Sequence, residues 1–285
     1  MKRLPIVLAA LLAASLAAAA PRADVDEVVA AERAFAAAAQ ADGVNAAFLR
    51  YSAPDALLFQ PGPVNAKAAL EADPIPPVPL KWWPAYAGIA ASGDLGFTTG
   101  PYVAGSGDRQ GHGWYFTIWR RQADGSWLWI LDHGPRTREA APEGTGDTVD
   151  SLLAGRRGPP HKALDEVKSA EARLAAGLAV DARSALPRFL AADGRIMRVG
   201  PQPAVGAAAW APLLAAGPDR IETAPLGGSA SAAGDLAFTY GTARWLRGQS
   251  QVEGHYVRIW QRRSEGWVLI VDNMIADPPP PPAAG

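Results

Sequence analysis

The stretch Gly93–Asp132 reads GDLGFTTG, a short loop, then GWYFTIWRRQADGSWLWILD. From Gly234 the chain says it again as GDLAFTYG and GHYVRIWQRRSEGWVLIVD, ending at Asp272. Gly93 to Gly234 and Trp119 to Trp260 are both shifts of 141 residues, so the copies stay in step over the length of a hairpin. A repeat this long predicts two copies of one domain. Working outward from it gives the rest of the chain.

The total of 285 residues suits two domains, each large enough for its own core. Apolar residues make up 49% and charged ones 19%, the proportions of a globular chain. A formal charge of −1 with scattered signs carries no electrostatic footprint for nucleic acid, so no nucleic-acid partner is expected. With no cysteine, disulfides, thiol nucleophiles and lipid attached to cysteine are excluded. Lys2 and Arg3 precede an apolar run from Leu4 to Ala20 that ends in four alanines. That is the pattern of a secretory signal peptide at 1–20, the alternative being an uncleaved anchor. Export to the periplasm or medium is the corresponding expectation. No later stretch is long and apolar enough to span a bilayer.

A first domain is expected at 24–135. Val25, Val28, Val29, Phe35 and Ala36 recur at helical spacing through Gln40. Short helices follow at Ala46–Tyr51 and Asn65–Ala72, separated by a strand at Ala56–Gln60 and the turn Pro61-Gly62-Pro63. Asp73–Pro84 is proline-rich and reads as an extended crossing or edge strand. Strands at Tyr86–Ala91, Leu95–Val103, Trp114–Arg121 and Trp127–Asp132 complete an antiparallel meander, so helices precede sheet in an α+β layout. Residues 136–160 read as a linker, 161–277 as the second domain with a Gly227-Gly228 loop, and 278–285 as a proline-rich tail.

The Ala-Glu-x-x-(Phe/Leu) helix at Ala31–Phe35 and Ala170–Leu174 carries a resemblance. So do the Ser-Gly-Asp-Leu-Gly-Phe-Thr-x-Gly strand at Ser92–Gly100 and the twice-occurring Tyr-x-x-Ile-Trp-x-Arg, followed by Gly-x-Trp in the first copy and by a terminal Asp in both. Each half resembles the nuclear transport factor 2-like (SnoaL-like) superfamily, in particular its domain of unknown function 4440 branch. The resemblance implies two cone-shaped domains, each a curved sheet wrapped around N-terminal helices with a pocket at the open end. It also implies a covalent pseudo-dimer paired through the sheets. Members include isomerases, dehydratases, hydrolases and non-enzymatic modules, so fold does not decide function. The isomerase pattern of a tyrosine on the first helix is missing, Phe35 and Leu174 offering no hydroxyl.

Alternation in the third strand of the meander separates two faces. His112, Trp114, Phe116 and Ile118, matched by Glu253, His255, Val257 and Ile259, are expected on the concave side. Tyr115, Thr117, Trp119 and Arg121, matched by Tyr256, Arg258, Trp260 and Arg262, are expected at the contact between halves. Trp119, Trp127, Trp260 and Trp267 read as core or interface.

Glu32 and its counterpart Glu171 interrupt apolar helix faces. Each is a general base with raised pKa or one half of an ion pair with Arg50 or Arg188. Asp132 and Asp272 close the final strands as acid–base groups or turn caps. His112 and His255, two residues out of register, are acid–base groups or rim histidines. Trp82, Trp83, Trp114 and Tyr102 are the candidate ligand contacts. The four histidines show no metal-ligand spacing, and no cofactor is expected. The functional expectation is an exported protein that binds a small, largely apolar molecule. The alternatives are an acid–base enzyme of isomerase, dehydratase or hydrolase type, and a non-catalytic envelope assembly module. Whether the chain oligomerises further is open.

Overall fold

The computed structural model describes residues 23–279, so the leader expected at 1–20 and most of the 278–285 tail lie outside it. The first helix, α1 (Val25–Asp42), begins where Asp24 accepts the Asp26 N–H at 3.0 Å. Asp26 and Glu27 then sit at the positive end of its dipole. It is followed by α2 (Val44–Tyr51), β1 (Ser52–Phe59), β2 (Pro63–Asn65) and α3 (Ala66–Ala72). Next come β3 (Leu80–Trp82), β4 (Tyr86–Ile89), β5 (Leu95–Ala104), β6 (Gly111–Arg121) and β7 (Trp127–His133). The stretch 136–160, expected as bare linker, contributes β8 (Arg136–Thr137) and β9 (Asp150–Ser151), which pair with β6 and β4.

The second half is α4 (Pro160–Ala185), β10 (Leu190–Arg198), β11 (Ala204–Val205), α5 (Ala207–Ala215), β12 (Ile221–Ala230), β13 (Leu236–Arg247), β14 (Ser250–Arg263) and β15 (Gly266–Ala276). The sheets run β2-β1-β7-β6-β5-β4-β9, with β3 also on β5 and β8 on β6, and β11-β10-β15-β14-β13-β12. This is the expected α+β pair of tandem domains, with three corrections to detail. The meanders are antiparallel, but β1 lies parallel to β7 and β10 parallel to β15, because a helix-first chain enters the sheet beside its last strand. Gly227 and Gly228 are not a loop: they continue β12 past a bulge, opposite Tyr240 and Thr239. Among described residues no helix is long and apolar enough to cross a membrane.

The third correction inverts the two faces of the sheet. Trp119 points at the helices, its ring 6.1 Å from that of Phe35 and its N–H on Glu32. Phe116 and Ile118 lie on the opposite side, where with Phe97 they join one apolar cluster with Phe238, Val257 and Ile259 of the second domain. Alternation separates the two sets and does not say which is inside. A buried helix carboxylate needs N–H and O–H donors, and those belong to the Trp/Thr/Tyr face. The aliphatic set, which needs none, is left to seal the halves together.

The pairing is reciprocal. The Ala91 N–H donates to Asp235 Oδ2 at 2.8 Å, and the Ala232 N–H donates to Asp94 Oδ2 at 2.9 Å. Ala91 and Ala232, like Asp94 and Asp235, are 141 residues apart, so each copy gives the other the same bond. That is the mark of a two-fold interface, here within one chain. The aspartates reach across because Gly93 and Gly234 turn the chain at φ 68 and 62, a region that favours glycine.

Removing one aspartate leaves an amide of the other copy without its acceptor. Asp235→Ala should lower the free energy of unfolding in urea by about 1–3 kcal/mol, with a smaller loss for the more exposed Asp94→Ala. Unchanged denaturation midpoints for both would show that the reciprocal bonds do not hold the halves.

Candidate functional site

The repeated glutamates meet their sheets through the same two groups, a threonine and a tryptophan. Glu32 accepts from Thr98 Oγ1 at 2.5 Å and from Trp119 Nε1 at 3.1 Å, while Trp119 also reaches Thr98 at 3.0 Å. In the second copy Glu171 accepts from Thr239 Oγ1 at 2.5 Å and Trp260 Nε1 at 2.9 Å, with Trp260 to Thr239 at 3.1 Å. The remaining oxygen is where they part. Glu32 Oε1 accepts from the Trp82 indole at 2.6 Å, and no arginine among the described residues is paired with it. Glu171 Oε2 accepts from Arg258 at 2.8 Å.

The arginine pairing expected for these glutamates is therefore corrected on both sides. Arg50 pairs with Asp42 on the surface at 2.9 Å. Arg258, not Arg188, holds Glu171, because position 258 sits on the concave face directly across from the helix. Burial pushes the Glu32 carboxyl up to about 7, against the lowering effect of its Thr98, Trp82 and Trp119 hydrogen bonds.

Thr117 and Arg258 are equivalent positions, and the final aspartates follow them. Asp132 accepts from Thr117 Oγ1 at 2.7 Å and has no cation partner among the described residues; burial pushes its carboxyl up to about 7, with the Glu32 charge adding to the rise. Asp272 accepts from Arg258 at 2.6 Å and from Arg198. Burial opposes its charge, but the two guanidinium groups outweigh that and hold it at about 2. Arg258, among the largest fully buried side chains, also lies 4.1 Å from the centre of the Tyr256 ring. The polar centre of the second cone is thus a closed chain of charge, Glu171–Arg258–Asp272–Arg198.

In the first cone the corresponding space is open. A cavity of about 200 Å³ is walled by Phe35 and Phe48 from the helices, Leu80 and Trp82 from β3, and Tyr102 and Tyr115 from β5 and β6. Asp132, His133 and Gly134 close its remaining side. Tyr115 is 8% exposed and its hydroxyl has no partner among the described residues. Burial, with the Glu32 charge next, keeps that phenol protonated far above the ordinary range. The arrangement presents a protonated phenol and a carboxyl poised near neutrality to whatever enters an otherwise aromatic space.

The sequence candidates divide accordingly. Trp82, Tyr102 and Asp132 line the cavity, and Glu32 stands behind Trp82. Trp83 turns away to donate to the Thr145 carbonyl, and Trp114 donates to Gln202 of the second domain at 2.8 Å, so neither lines it. His112 is not among the residues around the cavity: it lies on the face of Phe116 and Ile118, paired with Thr137. His255 pairs with Asp277 at 2.9 Å and borders a separate polar cleft of about 390 Å³ with Arg244 and Glu253. Glu171 and Asp272 are consumed by Arg258. Sequence reasoning missed Phe48, Leu80, Tyr115 and His133, and it placed Thr117 on the wrong face. The signal for Thr117 was present, as a threonine matched by an arginine between the shared Tyr and Ile-Trp of the repeat. Among described residues no cluster suited to a metal ion occurs.

No protein-family model matches the chain, and no curated protein matches it. Among solved structures it is similar to an NTF2-like protein of unknown function from Shewanella oneidensis MR-1, at 13% identity and a TM-score of 0.32, covering 39% of this chain and 98% of that one. It is also similar to a ketosteroid isomerase-like protein from Erwinia carotovora atroseptica, at 13% identity and a TM-score of 0.37, covering 41% and 97%. A third is an NTF2-like protein with a cystatin-like fold from Novosphingobium aromaticivorans, at 17% identity and 0.34, covering 42% and 85%. Each match spans about one domain's length of this chain, and the likeness is one of fold.

Glu32 makes stability depend on pH in the direction opposite to an ion-paired carboxylate. In the folded chain burial holds its carboxyl at about 7, above the ordinary 4.5. Its contribution is therefore fully present below about 4.5 and lost as the pH rises through about 7, a change on the order of 3 kcal/mol. Glu32→Gln should shrink the difference in melting temperature between pH 5 and pH 8. An unchanged difference would mean that Glu32 stays ionised throughout.

Proposed function

We propose that the protein binds a small, largely apolar molecule in the cone of its first domain, with the second domain as a closed structural partner. The observation that carries this reading is the contrast between equivalent positions. An aromatic cavity of about 200 Å³ surrounds the Asp132–Thr117 corner, while Arg258 and its carboxylates fill the same corner of the second copy. A dry apolar cavity of about 150 Å³ accepts a benzene ring, so this one suits a single ring with a short polar arm, roughly eight to ten heavy atoms. The reading includes export, supported by the basic and apolar pattern of residues 1–20. It also includes membership of the domain of unknown function 4440 branch, supported by the repeated strand motifs.

One observation favours a second reading, acid–base catalysis. Asp132, at the cavity wall, has its carboxyl near 7, where a group gives and takes protons at comparable cost. In that reading Asp132 exchanges the proton and Tyr115 donates a hydrogen bond to the reacting molecule. Any turnover should then follow a group titrating near 7 and disappear in Asp132→Asn.

Binding is tested on the full chain by ligand-observed NMR with a set of single-ring compounds. Compounds that bind should compete for one site per chain and be lost in Leu80→Trp, which fills the cavity from β3. No binding at all, or binding that survives Leu80→Trp, would overturn the assignment of the site.

A further inference from the structure

The two cones share an aspartate, a tyrosine and a glutamate around one corner, and in one of them the corner is occupied. Arg258 places its guanidinium 2.6 Å from Asp272 and 2.8 Å from Glu171, over the Tyr256 ring at 4.1 Å. The first cone keeps Asp132, Glu32 and Tyr115 at the equivalent positions and replaces the arginine by Thr117, whose hydroxyl satisfies one lone pair of Asp132. What is missing there is a positive charge. The second copy is therefore a template for what the first copy's corner accommodates.

We propose that the ligand of the first cone is a small organic cation, an amine or amidine on a single apolar ring, whose charged group pairs with Asp132 against the face of Tyr115. The proposal rests on the binding reading above and adds the charge of the ligand to it. Three features of the first cone agree. Among the described residues Asp132 has no cation of its own, its side-chain partner there being Thr117. The walls are aromatic, from Trp82, Tyr102, Tyr115, Phe35 and Phe48, and ring faces attract a desolvated cation. Glu32 adds a second carboxyl close enough to Asp132 to raise it.

The copies differ in one respect that shapes the ligand. In the second copy Arg258 bridges both carboxylates, whereas in the first the Trp82 indole already occupies Glu32 Oε1 at 2.6 Å. The cation therefore needs to meet Asp132 only, with Glu32 acting through space behind the indole. An ammonium on a short arm satisfies this, and the ring fills the space beyond. A carboxylate of the same size would face two acidic groups, and a neutral alcohol would leave the Asp132 charge uncompensated.

The test measures affinity of the full chain at pH 8 for three compounds of one shape: benzylamine, benzyl alcohol and benzoate. Calorimetry should show benzylamine binding at least tenfold more tightly than benzyl alcohol, and no detectable benzoate binding. Asp132→Asn, with its melting temperature checked to show that the chain is folded, should bring the amine and the alcohol to within about threefold of each other. Benzyl alcohol binding as well as the amine would overturn the cation while leaving the cavity as a binding site. Binding by none of the three, together with no compound bound in the NMR experiment, would overturn the binding reading itself. An amine preference that persists in folded Asp132→Asn would place the charge elsewhere and sink the proposal.

Discussion

A buried carboxylate on a helix, held by a threonine and an indole of the sheet, is the contact on which each domain depends. Glu32 is wholly enclosed and Glu171 nearly so. An enclosed carboxylate is tolerable only where donors converge on it. Thr98 with Trp119, and Thr239 with Trp260, supply those donors from neighbouring strands. The helix is thereby fixed in rotation and depth against β5 and β6 in the first domain, and against β13 and β14 in the second. This requirement explains why glutamate, threonine and tryptophan recur together in a repeat whose other positions drift. It also explains why the aromatic face of the sheet is the concave one.

The third donor differs between copies, and the chemistry follows from it. An arginine at 258 brings a full charge and satisfies Glu171 and Asp272 together. An indole at 82 satisfies Glu32 without neutralising it, so the charge stays costly and the carboxyl moves toward neutrality. The second arrangement gives up electrostatic compensation and gains a cavity. Sites that do something with a ligand commonly retain this sort of uncompensated group, whereas scaffolds neutralise it. One arginine thus separates a domain whose central carboxylates are ion-paired from one whose carboxylates meet only neutral donors.

The repeat made domain count and most strands legible from the sequence, because Gly-Asp turns and alternating runs leave a local signal. Glu32, Asp132 and Trp82 stood out for a similar reason: each is polar or aromatic where its local pattern predicts something else. The direction of the sheet faces was not legible, since alternation has no sign and the deciding contact joins Glu32 to Trp119, 87 residues away. Phe48 and Leu80 gave no warning because an aromatic in a short helix and a leucine in a proline-rich edge look like ordinary core. The strand identity of Gly227 and Gly228 was hidden too, because the pairing partner in β13, not local propensity, holds them extended.

Fusion of the two copies bears on why they differ at all. In a symmetric homodimer any substitution appears in both subunits, so an arginine that closes one cone closes the other. Here the reciprocal bonds between Ala91 and Asp235, and between Ala232 and Asp94, keep the two-fold contact. The covalent link meanwhile frees each copy to change on its own. The apolar seam from Phe97, Phe116 and Ile118 to Phe238, Val257 and Ile259 lies on the faces turned away from the helices. Changes inside one cone therefore leave the seam intact. The second domain can give up its cavity for an ion-paired centre and still present the surface that the first domain packs against.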